Sequence, residues 1–289
     1  MTTSPDNSPR VGVRRWNGRA LLRSEPDAVA AEEPLEIRLE TRPVAVIMRS
    51  PGHDEELAAG FLVSEGLLRD RSQLREIRPY PRNADGNVLD VHLAEGVSAN
   101  LAGLTRQVFA SSSCGLCGRT SIESLRRRFP RIRDRFAVDP EVLMSLPERL
   151  RAGQTGFSAT GGLHGAALLD VRGGLRFLRE DVGRHNAVDK LVGRAFLDGA
   201  LPLRETLLLV SGRVSFEIVE KALAAGIALV AAVSAPSSLA VSLARSSGMT
   251  LVGFLRDGRF NVYAGAGRIG RSTSPARGSS PCLQAPLKP

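Results

Sequence analysis

The sequence predicts an α/β protein with a smaller α+β unit ahead of it, and three patterns carry that reading. From Thr206 onward, short apolar runs alternate with helical patterns: strand 206–210, helix 215–225, strand 227–233, helix 237–246 and strand 250–254. Apolar strands alternating with helices build a parallel sheet covered on both faces. Immediately upstream, 164–171 and 175–180 read as a hairpin turned by Arg172-Gly173-Gly174, and a helix follows over 186–197. The first unit is shorter. Strands over 35–39 and 44–48 precede a helix over 53–65, which Ser50-Pro51-Gly52 opens and Gly66 stops. Asp85-Gly86 then turns the chain into strand 88–93, where Leu89, Val91 and Leu93 share a face.

Between the units, Thr120-Ser121-Ile122-Glu123 has capping-box spacing and starts a helix over 121–128. Asp139-Pro140 starts another helical stretch, expected to be interrupted near Pro147. Residues 260–263 add an edge strand. Stretches 1–33 and 265–289 are rich in Pro, Ser, Gly and Arg and read as mobile tails. The expected organisation is thus a tail over 1–33, an α+β domain over 34–110, a connection over 111–155, an α/β domain over 156–264, and a tail over 265–289. Gly265-Ala266-Gly267-Arg268-Ile269-Gly270 matches G-x-G-x-x-G, but no helical pattern follows it, so it is no dinucleotide fingerprint.

Composition removes several function classes. No apolar run reaches the roughly 18 residues of a membrane span, and no secretory pattern opens the chain. A cytoplasmic protein without a membrane partner is expected. The net charge of +9 is almost all arginine, since only Lys190, Lys221 and Lys288 are lysines. Arginine suits phosphate oxygens, although a G+C-rich genome yields the same bias. Aromatic residues make up 4% and are not interleaved with the basic runs, so a nucleic-acid surface is not expected.

Three cysteines make no disulfide framework. Two form Ser113-Cys114-Gly115-Leu116-Cys117-Gly118, and Cys282 lies in the C-terminal stretch. The glycines open the loop. Arg119 and the capped helix beyond favour thiolate at Cys117 and Cys114. A thiolate can attack the outer sulfur of a persulfide and carry it, while the second cysteine shares or releases it. Spacing alone leaves sulfur transfer, dithiol redox chemistry and metal binding open. A structural zinc site needs four ligands, and no second C-x-x-C exists. His53-Asp54-Glu55 with Cys114 and Cys117 superficially matches the zinc deaminases, but Ser113 replaces the expected proline. A zinc hydrolase is therefore the alternative reading, and no metal site is expected.

A second concentration of chemistry is Arg179-Glu180-Asp181-Val182-Gly183-Arg184-His185-Asn186-Ala187-Val188-Asp189-Lys190, where a strand gives way to a helix. Its charge exceeds what helix capping requires. Asn186, Asp189 and Lys190 can line one side of the helix start. Ser211-Gly212-Arg213-Val214-Ser215 and Ser234-Ala235-Pro236-Ser237-Ser238 are further strand-to-helix turns suited to phosphate. Either is explained singly by an ordinary serine cap; both beside Arg213 point to an anionic ligand. His164, set among glycines, fits a structural or a ligand-facing role.

These motifs together resemble the formate dehydrogenase accessory sulfurtransferases, the FdhD family. The similarity lies in 112–118 around the cysteines, Glu180 to Lys190, Ser50 to Phe61, Ser211 to Ser215, Ser234 to Ala240 and Gly253 to Arg256, in family order. The resemblance implies a sulfur carrier that accepts persulfide sulfur from a cysteine desulfurase. It passes that sulfur to Mo-bis(molybdopterin guanine dinucleotide) before insertion into formate dehydrogenase. Cys114 then bears the persulfide and Cys117 assists. Phe254, Leu255, Arg256, Asp257, Gly258 and Arg259 become a cofactor-binding stretch, joined by Ser211, Arg213, His185, Asn186 and Lys190. The resemblance also implies a cytidine-deaminase-like C-terminal domain and a homodimer. One departure is Tyr263-Ala264-Gly265-Ala266, where many relatives have Thr-His-Pro-Glu.

Overall fold

The computed structural model describes residues 8–81, 86–97 and 131–270. Its chain runs β1 (Arg10–Val13), β2 (Glu25–Ala28), β3 (Glu33–Leu39), β4 (Arg42–Arg49), α1 (Asp54–Ser64), β5 (Leu74–Pro79) and β6 (Val88–Leu93). It continues with α2 (Pro140–Gly153), α3 (Thr155–Thr160), β7 (His164–Asp170), β8 (Leu175–Asp181), α4 (Arg184–Leu197), β9 (Thr206–Val210), α5 (Phe216–Ala224), β10 (Leu229–Ala232), α6 (Ser238–Ser247), β11 (Thr250–Arg256) and β12 (Arg259–Ala264).

The α/β reading holds, with a correction to the sheet. Six strands lie in the order β12-β11-β10-β9-β7-β8, but only β9, β10 and β11 run parallel. The hairpin β7–β8 and the edge strand β12 are antiparallel to their neighbours. Alternate residues of the central strands enter different cores, as the two-residue period of a strand requires. Leu208 and Val210 of β9, Val230 and Ala232 of β10, and Ala166 and Leu168 of β7 join one cluster. Leu207, Leu209, Leu229, Ala231, Ala167 and Leu169 join the other, beneath Leu143, Leu146 and Leu150 of α2.

The N-terminal unit is a four-stranded sheet, β4-β3-β6-β5, with α1 against it. Its buried residues, from Leu35 to Leu93, belong to the same cluster as α4, α5 and α6, so one apolar core joins both units. Helices α1 and α4 cross where Gly60 meets Gly193. A Cβ on Gly60 would fall on the carbonyl of Asp189, and one on Gly193 on the carbonyl of Glu56.

Other expectations need correcting. Within 1–33, residues 10–28 form the antiparallel pair β1–β2. Within 265–289, Ile269 bridges to Val138 and the Gly270 amide donates to the Val138 carbonyl. Composition misled there because residues 10–28 are held mainly by backbone pairing and residues 265–270 by backbone bonds and the single apolar anchor Ile269. Helix α2 continues through Pro147 to Gly153. Its buried stripe of Leu143, Leu146 and Leu150 offsets the proline penalty of about 3 kcal/mol. The helix expected over 121–128 lies outside the described residues. Among the described residues, no helix is long and apolar enough to cross a membrane.

Candidate functional site

Sheet topology gathers most of the singled-out residues on one edge. The ends of β9, β10 and β11 share that edge because the strands are parallel, and antiparallel β7 begins there at His164. Asp181, the last residue of β8, pairs with His164. Ser211 joins β9 to β7 twice: its amide donates to the Gly165 carbonyl and its hydroxyl accepts the Gly165 amide, both at 2.9 Å. The next turns are zipped together, since the Ser237 amide donates to the Val214 carbonyl and the Val214 amide to that of Ala235. The Phe254 amide donates to the Ser234 carbonyl at 3.0 Å, tying the β11–β12 turn to the same edge.

The block from Glu180 to Lys190 divides into inward and outward residues. Asp181 is fully buried and accepts from the amides of Ser50 and Gly183 and from Asn186 Nδ2. Lys190 Nζ lies 2.7 Å from Asp181 Oδ2 and donates to the Ser50 carbonyl at 2.8 Å. Asn186 Nδ2 also donates to the Met48 carbonyl. These residues therefore fasten the start of α4 to the end of β4. Asp189 likewise accepts from Lys221 at 2.7 Å and from the Ser64 hydroxyl at 2.7 Å. Burial pushes its carboxyl up, against the pull of Lys221. Asn186 and Lys190 thus have internal partners, and Lys190 also lines the cleft described below. The sequence signal, charge at a strand-to-helix turn, is shared by ligand sites and by internal clamps.

The outward residues form a cationic cluster. Arg184 and His185 open α4, whose N-cap Gly183 supplies no side chain to its free amides. Arg213 is exposed in the adjacent turn. Gly212 lets the cluster close: a Cβ there would lie 3.2 Å from His164 Nδ1 and 3.8 Å from Arg184 Cδ. Burial lowers the His164 imidazole, and Arg184 and Arg213 reinforce this against Asp181. His185 falls further, to about 4, through burial and then Lys221 and Arg184. Both imidazoles are consequently neutral at pH 7. His185 Nε2 lies 3.1 Å from the Ser215 hydroxyl, the N-cap of α5, whose side chain makes no cap bond. The Arg184 Nε is buried with no hydrogen-bond partner among the described residues. The α4 start without a side-chain cap, two guanidiniums and an orphaned donor make this edge receptive to an oxyanion, whereas the start of α5 is occupied by the Glu217 carboxylate, 4.0 Å from His185 Nε2.

The stretch Phe254–Arg259 is mixed. Arg256, Asp257, Gly258 and Arg259 form an exposed turn, with Asp257 and Gly258 both at positive φ. Phe254 is half-buried, also at positive φ, at an irregularity in the β11–β12 pairing. Leu255 is fully buried in the core beneath α2, so its side chain takes no part in a ligand site. Cys114, Cys117 and Cys282 lie outside the described residues. Among those described, no three His, Cys, Asp or Glu residues group to hold a metal. His53 instead occupies the N-cap position of α1 without a side-chain cap bond, its Nδ1 3.5 Å from Glu56 Oε2.

Two arrangements of residues that the sequence singled out were not foreseen as contacts. Arg179 forks onto Glu56 at 2.5 and 2.7 Å, linking β8 to α1. A cleft of about 730 Å³ opens beside it, lined in part by Glu33, Ser50, His53, Gly156 and Glu180. The Glu180 carboxylate accepts the amides of Gly156 and Phe157 at the start of α3.

With this edge in place, known proteins can be set beside it. A sequence model described as the FdhD/NarQ family matches residues 30–270. The chain belongs to that family. It is 54% identical to the sulfur carrier protein FdhD of Streptomyces avermitilis, over 88% of this chain and 93% of that one. Against the FdhD of Mycolicibacterium paratuberculosis it is 50% identical, over 88% and 95%. The FdhD of Saccharolobus solfataricus is 41% identical, over 85% and 92%. The solved structure of a formate dehydrogenase accessory protein from Desulfotalea psychrophila superposes with a TM-score of 0.73 and 26% identity, covering 91% of this chain and 99% of that one. The fold described above is thus shared with that structure over 91% of this chain.

Proposed function

We propose that this chain is the sulfur carrier of a formate dehydrogenase system, moving persulfide sulfur from a cysteine desulfurase to Mo-bis(molybdopterin guanine dinucleotide) before that cofactor enters the dehydrogenase. The observation that supports it best is the cationic edge, with its orphaned Arg184 Nε. A dinucleotide cofactor presents diphosphates, and this edge offers charged, planar donors to them. On this reading the six-stranded sheet is a cytidine-deaminase-like scaffold adapted to hold a nucleotide. The chain works in the cytoplasm as a homodimer with one site per protomer.

The sulfur step is assigned to the cysteine pair. The Cys114 thiolate attacks the outer sulfur of the donor's persulfide. One S–S bond forms as another breaks, and the donor leaves as a thiolate, with no net redox change. Cys117 thiolate then attacks the inner sulfur of the Cys114 persulfide. A Cys114–Cys117 disulfide forms and hydrosulfide is released toward the bound cofactor, the persulfide having supplied the oxidising equivalents. A cellular dithiol reopens the disulfide. Arg184 and Arg213 hold the phosphates during the transfer, and the neutral imidazoles of His164 and His185 add no competing charge.

Incubating the protein with a cysteine desulfurase and cysteine, then recording its intact mass, tests this reading. One added sulfur atom is expected on the parent, and none on Cys114→Ala. Bound zinc without an adduct would favour a hydrolase of the deaminase type. Neither adduct nor zinc, with cofactor still bound, would leave a chaperone that carries no sulfur.

A further inference from the structure

A short relay between the starts of α4 and α5 fixes which nitrogen of His185 carries its proton. Burial pulls the Glu217 carboxyl up, but the Ser215 hydroxyl and the residue's own backbone amide donate to it and hold it below the usual carboxylate range. At pH 7 Glu217 is therefore an anion that can only accept. Ser215 has one hydroxyl proton, and Glu217 takes it. That hydroxyl makes no cap bond to α5, so its oxygen is free to accept from His185 Nε2, 3.1 Å away. The carboxylate itself, 4.0 Å from Nε2, also favours an N–H on that side of the ring.

A neutral imidazole has one N–H, and burial, Lys221 and Arg184 keep this ring neutral at pH 7. With the proton on Nε2, Nδ1 bears a lone pair. It has no hydrogen-bond partner among the described residues and is not one of the buried atoms left without a partner, so it opens to solvent. The oxyanion ligands beside it are donors. Arg184 Nε is buried without a partner, the first amides of α4 have no side-chain cap, and Arg213 is exposed in the next turn. His185 Nδ1 is an acceptor held in place among them.

We infer that His185 Nδ1 accepts a ribose hydroxyl of the bound nucleotide, which makes His185 a specificity-determining residue and Ser215 and Glu217 the pair that positions its proton. The inference rests on the nucleotide reading of this edge proposed above. An acceptor among guanidiniums disfavours a ligand that presents anionic oxygens alone, because its lone pair would be left facing theirs. It favours a ligand whose anionic oxygens stand next to an O–H. The bridging phosphates of a dinucleotide are ionised at neutral pH and offer no proton. The hydroxyl-bearing group joined directly to them is the ribose. A terminal phosphate that retains a proton would present the same chemistry, and removing the ribose hydroxyls distinguishes the two.

The chain has four histidines, so two-bond ¹H–¹⁵N spectra of the full chain resolve each ring, and the signal missing in His185→Gln identifies this one. A single neutral Nε2–H form is expected at pH 7. Ser215→Ala should mix the two neutral tautomers, a change that a merely structural serine would not produce. Calorimetry with GDP and with 2′,3′-dideoxy-GDP, which keeps both phosphates, reads the contact itself. The parent should bind the dideoxy nucleotide about five-fold more weakly, the loss of one neutral hydrogen bond. His185→Gln keeps a polar group at the ε position and none at δ. It should bind GDP as weakly as the parent binds the dideoxy nucleotide, with no further loss for the latter. An Nδ1–H form in the parent, or discrimination that survives in His185→Gln, would overturn the inference. So would equal binding of both nucleotides by the parent with both weakened in His185→Gln, which would assign Nδ1 to a phosphate proton. A parent that binds neither nucleotide would instead overturn the nucleotide reading on which the inference depends.

Discussion

His185 and Glu56 show how single residues of this protein answer to their surroundings. Burial, Lys221 and Arg184 hold the imidazole at about 4. Burial pulls Glu56 upward, but the Arg179 fork, helped by His53, outweighs it and sets the carboxyl at about 2. Both groups release their proton more readily folded than unfolded, so the unfolded chain binds more protons as pH falls, and stability falls with it. The windows differ. For His185 the contribution is complete above its ordinary value of 6.5 and is lost as pH falls through about 4. For Glu56 it is complete above 4.5 and lost as pH falls through about 2. Each is worth on the order of 1–3 kcal/mol after allowance for solvent screening. Urea midpoints measured against pH should therefore decline over two overlapping ranges. His185→Gln should flatten the upper one and Glu56→Gln the lower. An upper range that declines as before in His185→Gln would show that another group titrates there.

At the level of elements, the α1–α4 crossing holds the two units in register. Gly60 and Gly193 bring the helix backbones into direct contact, and both potential Cβ positions fall on carbonyl oxygens rather than on movable side chains. Gly60→Ala or Gly193→Ala should each cost about 3 kcal/mol, the upper end for added core volume, read as a lowered urea midpoint. A change below 0.5 kcal/mol, of the size of a surface substitution, would mean that the helices separate freely. Nothing in a single sequence marks these glycines, because a glycine within a helical pattern looks the same whether or not a partner helix crosses it. The strands β7, β9, β10 and β11 were legible because their apolar runs face two cores. By contrast, β5 was not: Arg75, Glu76 and Arg78 interrupt it, and its pairing with β6 is set by backbone bonds. Pro147 misled for the complementary reason, a local penalty overruled by a leucine stripe that only the tertiary packing reveals.

Across the whole molecule, topology decides which readings of the sequence converge. The serine turns, Arg184, His164 and Arg213 were legible as chemistry but not as neighbours, since antiparallel β7 is what brings His164 to the parallel strand ends. Lys190 was legible as an ammonium with a purpose, and the structure pairs it with Asp181 at the wall of the cleft beside Arg179. If the edge receives the nucleotide half of the cofactor, GDP is a sufficient probe. Calorimetric titration should give one GDP per protomer, as a homodimer with two equivalent sites requires. Arg213→Ala and Arg184→Ala should each weaken GDP by about ten-fold or more, the loss of one charge-assisted hydrogen bond. Arg213→Lys should recover part of that loss, because it restores charge without the planar fork. Higher salt should reduce affinity for the parent more than for either alanine variant. If both alanine variants bind GDP as the parent does, the phosphates are held elsewhere, and a ratio of one half would reject the paired sites. Weakened binding with unchanged sulfur loading on Cys114 would separate the two halves of the mechanism, assigning phosphate recognition to this edge and sulfur capture to the cysteine loop.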